Sequence, residues 1–326
     1  MIIQVYQNSH KPKLLIGLCI LIAVFICSLC FPLIPGENIY KYILYEIRIP
    51  RMICAIFIGG ALAASGVLSQ SLFQNALASP DILGTSSVST FAAAMCFYLM
   101  PQSMLWYSLP ITAFSGAFLL LGGVVHLINK YPNVSLLKIL LLGFSISACL
   151  HALTALLFSF ILSDYQRSGA LLRWTMGSLS NLGWEHVGML ALPIFIGWSM
   201  GFKKCLQLDT FALGRDVAFT LGISYQQISR SCLLAISIMV GATVSVAGPV
   251  GFVGLIIPHF CRKIFGPKNK ILYISSTLAG SILVLSADFC CRAICYPEDL
   301  EIGVMTSLIG SPLFGYILFK ENKPYD

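Results

Sequence analysis

Residues 241–267 read GATVSVAGPVGFVGLIIPHFCRKIFGP. The stretch is apolar enough to enter a bilayer. A Gly-Pro pair at 248–249 nevertheless interrupts it, glycines follow at 251 and 254, and it closes on Pro-His and then Arg-Lys. It fits either one overlong, kinked helix or two short spans joined by a turn. Counting cations decides between them, because Lys and Arg resist translocation and collect on the cytoplasmic side. Arg230 and the Arg262-Lys263 pair both belong inside, so the chain has to reverse between them. Gly248-Pro249 to Gly254 is the segment built to turn. Packed inside the subunit, such a reversal lets its freed backbone groups find protein partners. His259 then falls at the inner end of the returning span beside Arg262, which reads as architecture and not as a ligand position.

The rest of the chain has the same character. Of 326 residues, 57% are hydrophobic and 10% charged, whereas a soluble domain is nearer one quarter charged. The composition describes an all-α polytopic membrane protein, one transmembrane domain over 1–326 with no segment left for a soluble domain. Ten apolar segments are expected to span: about 14–34, 52–71, 82–100, 109–128, 137–162, 187–202, 231–247, 252–266, 271–290 and 303–319. Lys11 and Lys13 precede a first run too long for a signal-peptide core and without a small-residue cleavage site, so it reads as a retained span.

With the N-terminus inside, fourteen cations fall in inner segments. Only Lys41, Arg48, Arg51, Arg167, Arg173 and Arg292 fall outside. That bias predicts both termini in the cytoplasm and accounts for the net charge of +7 without nucleic acid.

Most of the twelve cysteines lie in expected spans, where a thiol behaves as a small hydrophobe. Cys290, Cys291 and Cys295 form the one local cluster; no histidine is near it, a disulfide there stays open, and no metal site is expected. The five histidines are scattered without ligand spacing. No catalytic elbow, metalloprotease motif or Walker A pattern is present, so no active site and no bound cofactor are expected. Any ATP and Mg would be used by a separate ATPase subunit. Ionisable groups inside the spans are few, His151 and, near an outer end, Asp288, which weakens an ion-coupled secondary transporter as the alternative.

GGALAASG at Gly59 to Gly66 and GATVSVAG at Gly241 to Gly248 both set glycines seven apart. They run in opposite directions across the membrane, as a weak inverted repeat requires, although ordinary membrane-helix composition gives the same pattern. The segment 203–230 is the longest inner loop. Leu213, Val217, Ala218 and Leu221 repeat at helical spacing between Gly214 and Gly222, which reads as short helices on the cytoplasmic face: an interfacial element, or a docking element for a soluble partner.

Four blocks carry a resemblance: RIPRMICAIFIGGALAASGVLSQSLFQNALASPDILGTSS from Arg48, ALGRDVAFTLGIS from Ala212, VAGPVGFVGLIIPHFCR from Val246 and EDLEIGVMTSLIGSPLFGYIL from Glu298. In this order they resemble the FecCD-type permeases of ATP-binding-cassette importers, which carry iron-siderophore complexes, haem and vitamin B12. The resemblance implies a BtuC-like importer fold with ten spans, in the cytoplasmic (inner) membrane of a prokaryote. It also implies a second permease copy or homologue, most simply a homodimer, two cytoplasmic ATPases and an extracytoplasmic substrate-binding protein. The expected function is translocation of an iron complex by alternating access, with vitamin B12 as the other cargo of the same family.

Residue by residue, the resemblance gives Arg48, Arg51 and Arg292 the role of receiving acidic residues of the binding protein, with interfacial snorkelling as the plainer reading. Asn75 and Leu77 match the cytoplasmic constriction, where Ala76 replaces the usual proline. Gly214, Arg215, Ala218, Leu221 and Gly222 match the segment coupled to the ATPase, with Arg215 where the family has Glu. Asp299 and Glu301 depart from the family's Glu and Pro before the last span. Thr306, Ser307, Gly310 and Ser311 in that span could line the pathway or serve helix packing.

Overall fold

The structure, a computed structural model, describes residues 2–30, 41–131, 136–212, 220–222, 224–294 and 299–321. Among these the regular structure is helical throughout. The helices are α1 (Ile2–Cys30), α2 (Ile49–Phe73, entered through a π-helical turn at Ile43–Arg48), α3 (Thr85–Leu99), α4 (Leu105–Lys130), α5 (Leu136–Ile161) and α6 (Tyr165–Thr175). They continue with α7 (Trp184–Phe211), α8 (Tyr225–Ala247), α9 (Val253–Phe265), α10 (Asn269–Ile294) and α11 (Ile302–Glu321).

Ten of these helices coincide with the ten expected apolar segments, and α6 is an addition. Seven are long and apolar enough to cross a membrane, while α3 and α11 are shorter apolar helices. With 13 residues, α9 rises only about 20 Å and cannot cross roughly 30 Å of hydrocarbon alone. A second difference concerns the inner loop. Helix α7 runs 28 residues to Phe211, so 203–211 continues the helix and is not loop; the lysines at 203 and 204 do not mark its end.

Hydrogen bonds gather the helix ends into two opposite sets. At one, Gln74 Nε2 donates to the Phe211 carbonyl (2.7 Å), Ser71 Oγ to Asn269 Oδ1 (2.5 Å), Asn269 N to Asp209 Oδ1 (2.8 Å) and Lys13 Nζ to the Ile264 carbonyl (3.2 Å). These are the ends assigned to the cytoplasm by their cations. At the other, the end of α1 is bonded to the turn entering α2 and to the end of α10, and the start of α7 to that same turn, the ends assigned to the outside.

Helix α8 starts with the first set, where Tyr225 stacks edge-on against Phe211 at 5.5 Å. It finishes at the second, where the Ala247 carbonyl accepts Ser178 N (2.8 Å). Since α9 ends beside Lys13, the chain reverses across 248–252, as its cations require. Gly248 at φ +69° stops α8, and Phe252, at φ +66°, starts α9.

Helix α2 is the hub; 83% of its apolar window is buried, against 6% for α1. Its small residues explain why. A Cβ on Gly59 would sit 2.2 Å from the Gly280 carbonyl oxygen of α10, and one on Gly66 would sit 1.9 Å from that of Gly254 in α9. Between helices in lipid, association depends on such close packing. The second glycine-spaced copy does a different job: Gly241 packs under Phe114, and Gly248 breaks the helix.

Candidate translocation and docking sites

The three arginines expected at an open rim are buried, at 5% (Arg48), 8% (Arg51) and 8% (Arg292) exposure. Arg51 Nε donates to Asp288 Oδ1 at 2.8 Å and its Nη1 to Asp299 Oδ2 at 2.5 Å. Arg292, one turn along α10 from Asp288, reaches Asp288 Oδ2 with Nε at 3.2 Å and Nη2 at 3.1 Å, and Nη2 also donates to Ser28 Oγ of α1. Arg48 Nη1 donates to the Leu29 carbonyl (2.8 Å). A guanidinium presents five donors in a fixed fork, and here the forks are turned inward. They tie α1, α2, α10 and the approach to α11 together at the outer end. In the single chain the three guanidinium groups matched to binding-protein docking are thus engaged with the protein's own acceptors. The reason is Asp288, buried at 1% exposure: a carboxylate in that place requires cationic partners. Sequence reading noted Asp288 but not its partner in α2, 237 positions away. Only Asp299 leaves the network partly open to solvent, with 31% side-chain exposure, and it also accepts Ser180 Oγ at 3.2 Å.

Two hollows lie side by side. The outer one, about 1340 Å3, is a basin bordered by Gln102, Gln166, Arg173, Asn181, Asp299 and Glu301. The second, about 700 Å3, is a groove containing His151, Thr175, Ser307 and Ser311. Both take walls from α5 and α6; the basin adds the end of α8 and the segment before α11, and the groove adds the turn after α8 and α11 itself.

The four residues singled out in α11 divide by helical face. Ser307 and Ser311 line the groove. Thr306 is buried, with Oγ1 donating to the Gly303 carbonyl (3.2 Å), and a Cβ on Gly310 would meet Phe252 at 2.5 Å, so both serve packing. His151 and Thr175 were missed as groove residues. Thr175 lies on α6, too short and polar for a search by apolar span length.

At the inner end of α2, Gln74 adopts a left-handed conformation (φ 48°). Asn75 Oδ1 then accepts Leu77 N at 2.9 Å, and the Asn75 carbonyl accepts Ala78 N at 3.0 Å. This Asx turn supplies the local order that a proline at 76 would have given. Leu77 is exposed at its tip. In the following 3-10 turn, burial pushes the Asp81 carboxyl above the usual carboxylate range, partly offset by the hydrogen bond from Ser86 Oγ.

Of the residues matched to ATPase coupling, Gly214, Arg215 and Ala218 lie outside the described residues. Leu221 is exposed and Gly222 has a positive φ of 73°, in the turn before α8. Cys290 and Cys291 are free thiols; Cys295 lies outside the described residues. Among the described residues no group of three metal-ligating side chains occurs.

The model of the FecCD transport family matches residues 14–320. The chain is 37% identical over 284 residues to the Fe(3+) dicitrate transport system permease protein FecD of Escherichia coli (strain K12), covering 86% of each. It is 29% identical over 328 residues to the hemin transport system permease protein HmuU of Yersinia pestis, covering 96% of this chain and 97% of that one. Among solved structures, a transporter described as of the metal-chelate ABC type, in an inward-facing conformation, superposes with a TM-score of 0.83 at 28% identity. The match covers 95% of this chain and 99% of that one.

Proposed function

The chain belongs to the FecCD transport family, and on that premise we propose that it is the membrane-spanning permease subunit of an ATP-driven importer for an iron chelate. It works as one of two permease subunits, most simply a homodimer. Two cytoplasmic ATPases bind ATP and Mg, and an extracytoplasmic binding protein delivers the cargo. The cargo passes unchanged through a path whose half, in each protomer, is the outer basin and the adjoining groove. The observation that supports this most directly is that polar side chains of α5, α6 and α11 line adjoining open hollows, whereas most other polar side chains of the bundle are buried in helix packing. Polar groups at membrane depth are expensive unless they face a water-filled space. An iron chelate is favoured as cargo because the relative at 37% identity is a ferric dicitrate permease.

The exposed Asn75–Leu77 turn forms the cytoplasmic constriction, and the segment 213–222 carries the ATPase stroke. Docking of the binding protein engages the outer network through its one part-open member, the Arg51–Asp299 pair. A carboxylate on the arriving protein competes with Asp299 for Arg51, so the charges act by exchange and not as free rim cations.

The test is uptake by the complex reconstituted in liposomes, with a panel of ferric chelates, haem and cobalamin. ATP-dependent accumulation of a ferric chelate, abolished without the ATPase, is the expected result. Unaltered uptake without the ATPase would overturn the reading, and accumulation of cobalamin alone would overturn the cargo.

A further inference from the structure

We propose that His151 is a cargo-contacting, selectivity-setting residue of the translocation path, and that the groove it lines takes oxygen-rich, anionic chelates. The inference rests on the permease reading and concerns the chemistry of one wall. His151 lies near the middle of the 26-residue helix α5 and is exposed in the single chain. At that depth an imidazole turned to lipid would be costly; ionisable groups inside membranes face a protein interior or a water-filled cavity. The groove supplies the cavity. It continues toward the polar outer basin through shared walls, and it is lined with His151 by Ser307, Ser311 and Thr175, of which Thr175 Oγ1 donates to the Leu172 carbonyl (2.8 Å).

Among the described residues lining the groove, His151 is the one ionisable side chain; no Asp, Glu, Lys or Arg is present. A wall without carboxylates neither captures cations nor repels anions. The serine hydroxyls and an imidazole N–H donate to carboxylate, catecholate or hydroxamate oxygens, which a ferric chelate presents outward. The ring is also held: Ser87 Oγ of α3 lies 3.2 Å from His151 Nε2. With the Ser87 hydroxyl donating there, the tautomer carries its proton on Nδ1, leaving that N–H as the donor for a passing ligand. Fixing the ring from behind is what a selective contact requires, since a freely rotating donor discriminates poorly.

The test uses the reconstituted permease–ATPase–binding-protein complex carrying Ser307→Cys. Its reaction with an anionic and a cationic methanethiosulfonate reagent is compared, with the native cysteines' background taken from the complex without that change. Ser307→Cys is expected to react with both water-soluble reagents. In the His151→Ala background the anionic-to-cationic rate ratio is expected to fall about threefold, and His151→Gln, which restores an N–H donor, to recover most of it. A Ser307→Cys that reacts with neither reagent overturns the groove as part of the path, because lipid or a second copy then covers it. An unchanged ratio in both His151 variants overturns the selectivity role. Where the alanine variant fails to assemble, the ratio in His151→Glu decides instead: a drop of about tenfold is expected, and no drop refutes the proposal. Failure of the permease reading itself shows separately, as uptake that survives removal of the ATPase.

Discussion

Arg51 Nε lies 2.8 Å from Asp288 Oδ1, joining α2 to α10 across 237 positions of chain. Both partners are buried, so the pair is held together by the cost of separating it. Removing one member of a buried ion pair typically costs about 3–5 kcal/mol, because the other charge is left uncompensated. Asp288→Ala removes the carboxylate shared by two guanidinium groups, leaving Arg51 with Asp299 and Arg292 with the neutral Ser28 hydroxyl, and is expected to reach that range, while Asp288→Asn keeps two acceptor lone pairs and loses less. Thermal unfolding in detergent measures the difference, and a loss under about 1 kcal/mol for the alanine variant would contradict the assignment.

The second partner of Arg51 makes the opposite prediction. Asp299→Asn weakens the hold on Nη1 and leaves the buried pair with Asp288 intact. If an acidic residue of the binding protein competes for that guanidinium, association tightens, by about threefold to tenfold at low ionic strength, and the gain shrinks with salt as the Debye length falls below about 8 Å. Weaker association would mean that Asp299 is itself the contact. Charge reversal at Arg48 and Arg51 is a poorer experiment, since it breaks the interior network as well as any docking surface.

Gly66 and Gly122 form a matched pair of tests. A Cβ at Gly66 overlaps the Gly254 carbonyl, whereas one at Gly122 meets nothing within 4 Å. Gly66→Ala is expected to destabilise by about 1–3 kcal/mol through forced backbone shifts. Gly122→Ala is expected to be neutral or to gain up to about 1 kcal/mol from helix propensity. Unfolding midpoints of the two variants compared with the parent measure this, and equal shifts would refute the close approach of α2 and α9.

At the inner turn, Asn75→Ala deletes the acceptor for Leu77 N, a loss of roughly 1 kcal/mol of local order. The expected phenotype is uncoupling, with ATP hydrolysis maintained while cargo uptake falls. Equal loss of both activities would indicate a general folding defect.

Asp81 predicts a pH dependence. Its carboxyl is raised in the folded protein by burial, so the folded state binds the proton more tightly than the unfolded state does. The associated stability is present below the ordinary carboxylate range and is lost as pH rises through the raised folded value. Asp81→Asn removes that slope. Melting temperatures of parent and variant should therefore diverge, in favour of the variant, on going from about pH 5 to pH 8; parallel curves would contradict the shift.

The helices were legible because ten apolar runs separated by cations carry their own boundaries, and the reversal at Gly248 was legible because Arg230 and Arg262 cannot lie on opposite sides. Helix α6 was not, since Asp164 caps a short helix with little apolar excess. The end of α7 was misread because lysines at 203 and 204 signal departure from lipid and not the end of a hydrogen-bonded ladder. The inward engagement of the outer arginines was not legible for a different reason: a guanidinium facing a partner protein and one facing a buried carboxylate are identical in sequence. What separates them is Asp288, whose position in a span was visible and whose partner was not. The two faces of α11 needed the neighbouring backbone, since Thr306 and Ser307 differ only in which wall they meet.

The reversal at 248–252 has a mechanical consequence. Carbonyl oxygens abut it where a side chain would stand: that of Trp174 lies 2.3 Å from the Cβ site of Gly248, that of Pro249 lies 2.3 Å from the Cβ site of Gly177, and that of Met176 lies 2.1 Å from the Cβ site of Gly303. Backbone therefore lies against backbone at the seam between α6, the turn and α11, where Ser178 N donates to the Ala247 carbonyl and Gly303 N to that of Gly177. The seam borders both hollows, and at each of these three positions any side chain larger than hydrogen would force the wall apart.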